Sequence, residues 1–150
     1  MKRVDINNHI GLFVKKINNH IEREMYVQYK KYDIKEYSIM NIMIINYLLE
    51  MRNKGEKDIF QKDIEEEFYI NKATASKMLL LMENKGLIAR ECLNDDRRLK
   101  KIILLPKGEE LNKIGDQIIS NLENKLQKNL TKNQLEDFRE ICKIILNNMK

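Results

Sequence analysis

The chain has no tryptophan, one proline, five glycines, two cysteines and two histidines in 150 residues. So little proline and glycine leaves too few turn residues for a sandwich or barrel, while Leu, Ile, Met, Lys and Glu abound, so helices dominate. Cys92 and Cys142 match no zinc or redox spacing and are too few for a disulfide framework, so both are read as buried thiols. The longest apolar run is Met78–Met82, far below the roughly 20 residues that span a bilayer. The N-terminal stretch MKRVDINNHIGLF lacks the apolar segment of a secretory signal. The expectation is a soluble protein of the cytoplasm with no membrane partner. Its length favours one domain, and 43% hydrophobic with 34% charged residues suits a folded core.

Catalytic patterns are missing as well. There is no glycine-rich phosphate loop, no Ser-His-Asp order around the two histidines and no pair of carboxylates in an apolar setting, so no enzyme, catalytic residue or cofactor is expected. His9 and His20 lie three turns apart along one face of a first helix. A metal would need two or more further ligands, so no metal site is expected and solvated or interface roles are favoured.

What the chain does have is a local excess of positive charge. Residues 70 to 108 hold nine Lys or Arg against four acids, which accounts for the whole net charge of +5; the remainder is balanced. A basic segment in a neutral chain is the footprint expected for a polyanion, nucleic acid first, with a solvated basic face as the plain alternative.

Apolar periodicity orders the helices. Ile6, Ile10, Phe13, Val14, Ile17, Ile21 and Met25 form one stripe of a long first helix. Asp33 and Glu36 have capping-box spacing and place a second helix from near Ile34, with Ile39–Met51 apolar on nearly every side as its central part. Asp58 with Gln61 repeats the spacing before a short helix over about Ile59–Phe68, followed by a tight turn at Tyr69 and Ile70. Asn71 caps the next helix, Lys72–Lys85, with Ala75, Met78, Leu79 and Met82 inward, and Gly86 stops it. Leu87–Leu93 and Lys100–Leu105 alternate like strands around a charged tip, residues 94 to 98. Pro106 suits the first turn of a fifth helix, to Gln127, with Leu111, Ile114, Ile118, Leu122 and Leu126 along a stripe. Thr131 and Gln134 open the last helix, with Leu135, Phe138, Ile141, Cys142, Ile145 and Met149 on one side.

A short helix, a tight turn, a helix that begins with small polar and basic residues and then a charged hairpin make a winged helix-turn-helix. The fold class expected is mainly α with a small β-hairpin wing, flanked by N- and C-terminal dimerisation helices. The second helix of such a pair enters the major groove by its N-terminus, and the hairpin reaches the adjacent minor groove. That makes Asn71, Lys72, Ala73, Thr74, Ser76 and Lys77, with Asp96, Arg97, Arg98 and Lys100 of the wing, the candidate DNA-binding residues; ordinary solvated helix and loop residues are the alternative. Leu80 and Leu81, on the outer side of the same helix, are expected to pack on neighbouring helices.

The run from Asp63 to Gly108 resembles the MarR family of bacterial transcription regulators, through Ile64, the helix start NKATASKM, its ending MENKGLIAR and the wing DDRRLKKIILLPKG. The family's acid-any-arginine wing motif falls on Asp96 and Arg98. Its Leu-Thr-x-x-Gly entry to the fifth helix falls on Leu104–Gly108, where Leu105 replaces the threonine. The resemblance implies a ligand-responsive repressor and an obligate homodimer intertwined through its first, fifth and sixth helices. Ile10, Phe13, Ile17, Leu122, Leu135, Phe138, Ile141 and Ile145 are the dimerisation residues, because their apolar stripes have no other domain to cover them. Two recognition helices about 34 Å apart would read a palindromic operator in double-stranded DNA. Residues 1–150 then form a single domain, with 1–32 and 107–150 for dimerisation and 33–106 for DNA. The family also binds small, often aromatic and anionic effectors between dimerisation helices and winged domain, which would suit Tyr26, Tyr29, Tyr37 and Tyr47 where the first two helices meet; an aromatic core seam is the alternative. Cys92 could sense oxidants as in the peroxide-responsive branch, but that branch keeps its thiol near the start of the first helix, where this chain has His9 and Phe13. A winged-helix protein adaptor is the rival function, and it gives no reason to concentrate the net charge in recognition helix and wing.

Overall fold

In the computed structural model, which describes residues 5–55, 58–93 and 96–150 with the side chains of Asp96 and Arg97 left aside, six α-helices and one antiparallel hairpin are found among the described residues. After a 3-10 turn at Ile6–Asn8 the order is α1 (Ile10–Lys31), α2 (Ile39–Asn53), α3 (Gln61–Phe68), α4 (Lys72–Asn84), β1 (Ile88–Leu93), β2 (Asp96–Leu104), α5 (Pro106–Gln127) and α6 (Lys132–Asn148). This is a mainly α fold with a hairpin wing, a winged helix-turn-helix. The chain divides into two compact units, 1–118 and 119–150. No helix among the described residues is long and apolar enough to cross a membrane.

The core of the first unit gathers on α2. Ile42, Ile44 and Ile45 are fully buried, together with Ile64 of α3, Leu79 and Met82 of α4, Leu87 and Ile88 at the foot of the wing, and Ile118 of α5. Each such side chain contributes on the order of 1.5–3 kcal/mol by leaving water, so α2 is the element around which the unit condenses. Gly108 lies where a Cβ would come within 2.6 Å of the Leu87 carbonyl oxygen, so only glycine lets the first turn of α5 close on the α4–β1 junction.

Two helix starts differ from the sequence reading. Asp33 does not open α2. It has left-handed backbone, φ 57°, and ends α1: its N–H bonds to the Lys30 carbonyl at 3.3 Å and that of Ile34 to Tyr29 at 2.9 Å, a Schellman stop with buried Ile34 over buried Tyr29. The box that opens α2 is Ser38 with Asn41, in which Asn41 N–H donates to Ser38 Oγ at 3.1 Å and Ser38 N–H to Asn41 Oδ1 at 3.2 Å. Asp58 likewise does not cap α3; Asp63 does the work from inside the first turn, its Oδ2 accepting the Phe60 N–H at 2.8 Å.

The starts of α4, α5 and α6 match. Asn71 caps α4, Pro106 starts α5, and Thr131 with Gln134 forms the box that opens α6. Gly86, φ 74°, ends α4 while Leu87 N–H bonds to the Met82 carbonyl at 3.0 Å. In the second unit Leu122 is buried, Leu135, Cys142 and Ile145 are half-buried, and Phe138, Ile141, Ile144 and Met149 are exposed.

The wing pairs Ile88 with Leu104 through Cys92 with Lys100 in steady register, then shifts so that Leu93 faces Asp96. The run Arg97 to Leu99 therefore bulges from the ladder, and β2 begins at Asp96, earlier than the expected Lys100. Arg97 and Arg98 belong to a bulged strand and not to a loop tip. Asn94 and Asp95, the rest of the expected tip, lie outside the described residues.

Candidate nucleic-acid interface

Local chemistry sets the recognition helix. Tyr69 takes left-handed backbone, φ 52°, and the Ile70 N–H returns to the Glu65 carbonyl at 3.1 Å, which ends α3 and turns the chain into α4. Asn71 Oδ1 accepts the Thr74 N–H at 2.8 Å, so its amide is engaged in capping. Gln61 Nε2 approaches the Lys72 carbonyl at 3.4 Å, a link between the first turns of α3 and α4 that the sequence reading missed.

Along α4, Ala75, Leu79 and Met82 are buried, while Asn71, Lys72, Ala73, Thr74, Ser76 and Lys77 are exposed. The spacing of the buried set turns the other residues outward as one polar and basic surface at a helix N-terminus. Leu80 and Leu81 are not packed on neighbouring helices as expected; they are 49% and 48% exposed. On β2, Arg98 and Lys100 are exposed and Lys101 is half-buried. The expected action of Asp96 on Arg98, and the place of Arg97, rest on side chains outside the described part.

The basic segment is not all surface. Arg90 Nη2 pairs with Glu83 Oε1 at 3.0 Å, with only 17% and 33% of the two side chains exposed. Lys107 Nζ donates to the Lys85 carbonyl at 2.7 Å, at the C-terminal end of α4 where a cation is favoured. Lys85 Nζ donates to the Glu36 carbonyl and lies 5.3 Å from the centre of the Tyr37 ring. These three cations tie α4 to β1, α5 and the segment before α2. Lys72, Lys77, Arg98 and Lys100 are the exposed remainder on recognition helix and wing.

A cleft of about 570 Å³ adjoins this surface, with Lys35, Lys77 and Lys85, the Tyr37 ring, Asn41 and Leu81 in its walls. The four effector tyrosines are not brought to one place. Tyr37 lines this cleft, Tyr26 is exposed over a hollow on α1, and Tyr47 stands edge-on to Phe68 at 5.8 Å, lining a third cleft. Tyr29 is buried, which pushes its phenol well above the ordinary value and keeps it neutral. Neither cysteine is the buried thiol expected, since Cys92 is exposed and Cys142 half-buried. His9 sits at the N-cap of α1 and His20 is exposed along it. Among the described residues no group of three or more His, Cys, Asp or Glu is placed to hold a metal ion.

On α1, Ile10, Phe13, Val14 and Ile17 are all exposed. Among the expected dimerisation residues, Leu122 stands apart: it is buried within the chain and offers no surface to a second copy.

Helix, turn, recognition helix and bulged wing define a protein of the winged helix-turn-helix class. The MarR family model matches residues 47–100, the span from mid-α2 to the wing, and over that span the chain resembles this family of transcription regulators. Among solved structures it is similar to the transcription regulator MarR from Oenococcus oeni PSU-1, at 29% identity over 93% of this chain and 99% of that one, TM-score 0.72. The fold is also that of S. aureus MepR, solved in complex with DNA, at 18% identity over 97% and 100% of the chains, TM-score 0.82. A third likeness is the PcaV transcriptional regulator of Streptomyces coelicolor, in complex with its natural ligand, at 15% identity over all of both chains, TM-score 0.81. No curated protein matches the sequence.

Proposed function

We propose that this protein is a homodimeric repressor that reads a palindromic operator in double-stranded DNA and is released by a small-molecule effector. The observation that carries the reading is the division of α4: Ala75, Leu79 and Met82 sealed in the core, and Lys72, Thr74, Ser76 and Lys77 turned outward together, with Arg98 and Lys100 exposed on the wing. The helix supplies hydrogen-bonding groups for base edges and the wing supplies cations for the backbone and minor groove. The MepR complex with DNA supports the same use of this fold. Such a regulator acts in the cytoplasm, beside the DNA.

Dimerisation rests on the unpartnered apolar faces. Ile10, Phe13 and Ile17 on α1, and Phe138 and Ile141 on α6, are each more than 40% exposed, a cost in water that a second copy removes. Leu135 and Ile145 on α6 are half-buried, and Leu122 on α5 is buried within the chain. For the effector, Tyr37 is the tyrosine that shares a cleft with three lysines and one acid, Glu36, a net positive setting for a small aromatic anion; Thr74 and Lys77 line the same cleft, so an occupant there would compete with operator.

Selection of duplexes from a random pool, followed by titration of salt on the winning sequence, tests the reading. The proposal expects a palindrome. If the dimer neutralises on the order of 6 to 10 phosphates, affinity should fall by roughly 10³ to 10⁵ between 50 and 200 mM salt. No enrichment and a flat salt response would favour the protein-adaptor alternative.

A further inference from the structure

The outward face of α4 is not uniformly polar, because Leu80 stands on it 49% exposed. At about 100° per residue, Leu80 lies roughly 140° around the helix from buried Ala75, with Ala73, Ser76 and Lys77 within about 60° of it. All three of those neighbours are exposed. Leu81 diverges, since it turns about 100° further round and lines the cleft that holds Tyr37. Side chains of a helix lean toward its N-terminus, so the isobutyl group of Leu80 covers the turn of Ser76 and Lys77. An apolar group therefore sits within the surface that carries the proposed base contacts. Glu83 is the acid of α4, and it is paired with Arg90 and mostly covered, so Lys72 and Lys77 set the sign of that face. That charge suits a polyanion beside the leucine.

We propose that Leu80 reads the C5 methyl group of a thymine in each half-site of the operator. The inference deepens the DNA-binding reading given above and rests on it. Of the four bases, thymine alone presents an apolar group in the major groove, where the others offer hydrogen-bonding edges. Leucine has no side-chain donor or acceptor. Against a purine N7 or O6, or the N4 amino group of cytosine, it would strip water and give nothing back. Against a thymine methyl, both groups leave water together. Thr74 and Ser76 then supply hydrogen bonds, while Leu80 selects by apolar contact. A palindrome presents the same thymine to both recognition helices, so the effect is felt twice. Covering one methyl corresponds to about fourfold in affinity, and covering the symmetric pair to about tenfold or more.

The test uses the full chain and the palindrome selected from the random pool, with deoxyuridine in place of each thymine in turn, at both symmetric positions and at fixed salt. Deoxyuridine lacks only the C5 methyl and keeps the O4 acceptor. The parent protein should lose about tenfold in affinity at one symmetric pair of thymines. Leu80→Ala should bind the thymine and deoxyuridine duplexes equally at that pair, whereas Leu80→Met, of similar volume and still apolar, should keep the difference. Leu80 is exposed and alanine and methionine are good helix formers, so both variants fold, which far-ultraviolet circular dichroism checks. The alanine variant also separates side-chain contact from an effect of the methyl on duplex stiffness, because a stiffness effect persists without the leucine. A palindrome with no thymine whose methyl matters, a penalty undiminished in Leu80→Ala, or one abolished equally in Leu80→Met overturns the assignment and leaves the function proposed above standing. A chain that enriches no duplex contradicts that function and this inference with it.

Discussion

Glu83 on α4 and Arg90 on β1 form an ion pair, Oε1 to Nη2 3.0 Å apart, that ties the recognition helix to the foot of the wing. Both side chains are mostly covered, so the pair lies between the surface case, which contributes little, and the buried case, in which losing one partner is costly. Arg90→Ala should therefore destabilise the fold by about 1–3 kcal/mol by leaving Glu83 half-buried and unpaired. The urea unfolding midpoint measures this. A loss under about 0.5 kcal/mol would mean that the pair behaves as an exposed one.

Asn71 separates stability from recognition. Its Oδ1 is committed to the Thr74 N–H, so Asn71→Ala should cost about 1 kcal/mol of stability, as loss of an N-cap does. Asn71→Asp keeps the cap and places a negative charge at the end of α4 that the proposed function turns toward DNA. The thermal midpoint should hold while affinity for any duplex falls; an aspartate variant that binds DNA as well as the parent would remove this helix end from the interface.

Much of this fold is legible in local chemistry. Asn71, Gly86, Pro106 and the Thr131–Gln134 box act through their own backbone within a few residues, so the sequence carries them directly. The start of α2 is ambiguous in sequence because Asp33 and Glu36 also fit a capping box, and only the Schellman stop, with Ile34 and Tyr29 both buried, decides that Asp33 ends one helix and does not begin the next. The cap of α3 had a readable signal in Asp63, at the third helical position. Tertiary facts were not legible. Nothing local predicts that Arg90, Lys85 and Lys107 are engaged by neighbouring elements, that a register shift lifts Arg97–Leu99 out of the hairpin, or that Tyr37 and Tyr47 line different clefts.

The apolar faces give a test of the dimer. Phe138 and Ile141 are 56% and 52% exposed on α6, so aspartate at both positions removes little packing within one chain. Sedimentation should find the parent dimeric at micromolar concentration and the Phe138→Asp, Ile141→Asp double variant monomeric with its helices intact. A variant that stays dimeric would move the interface away from this face of α6.

The central claim is that α4 reads sequence while the wing supplies position, and binding of three variants to the selected palindrome and to a scrambled duplex at fixed salt tests it most directly. Thr74→Ala and Ser76→Ala should each lose roughly 1–3 kcal/mol on the palindrome and almost nothing on the scrambled duplex. Arg98→Ala should weaken both together, because a wing arginine responds to charge and groove width more than to base identity. Unchanged preference in both helix variants, or unchanged affinity of Arg98→Ala for both duplexes, would contradict the account.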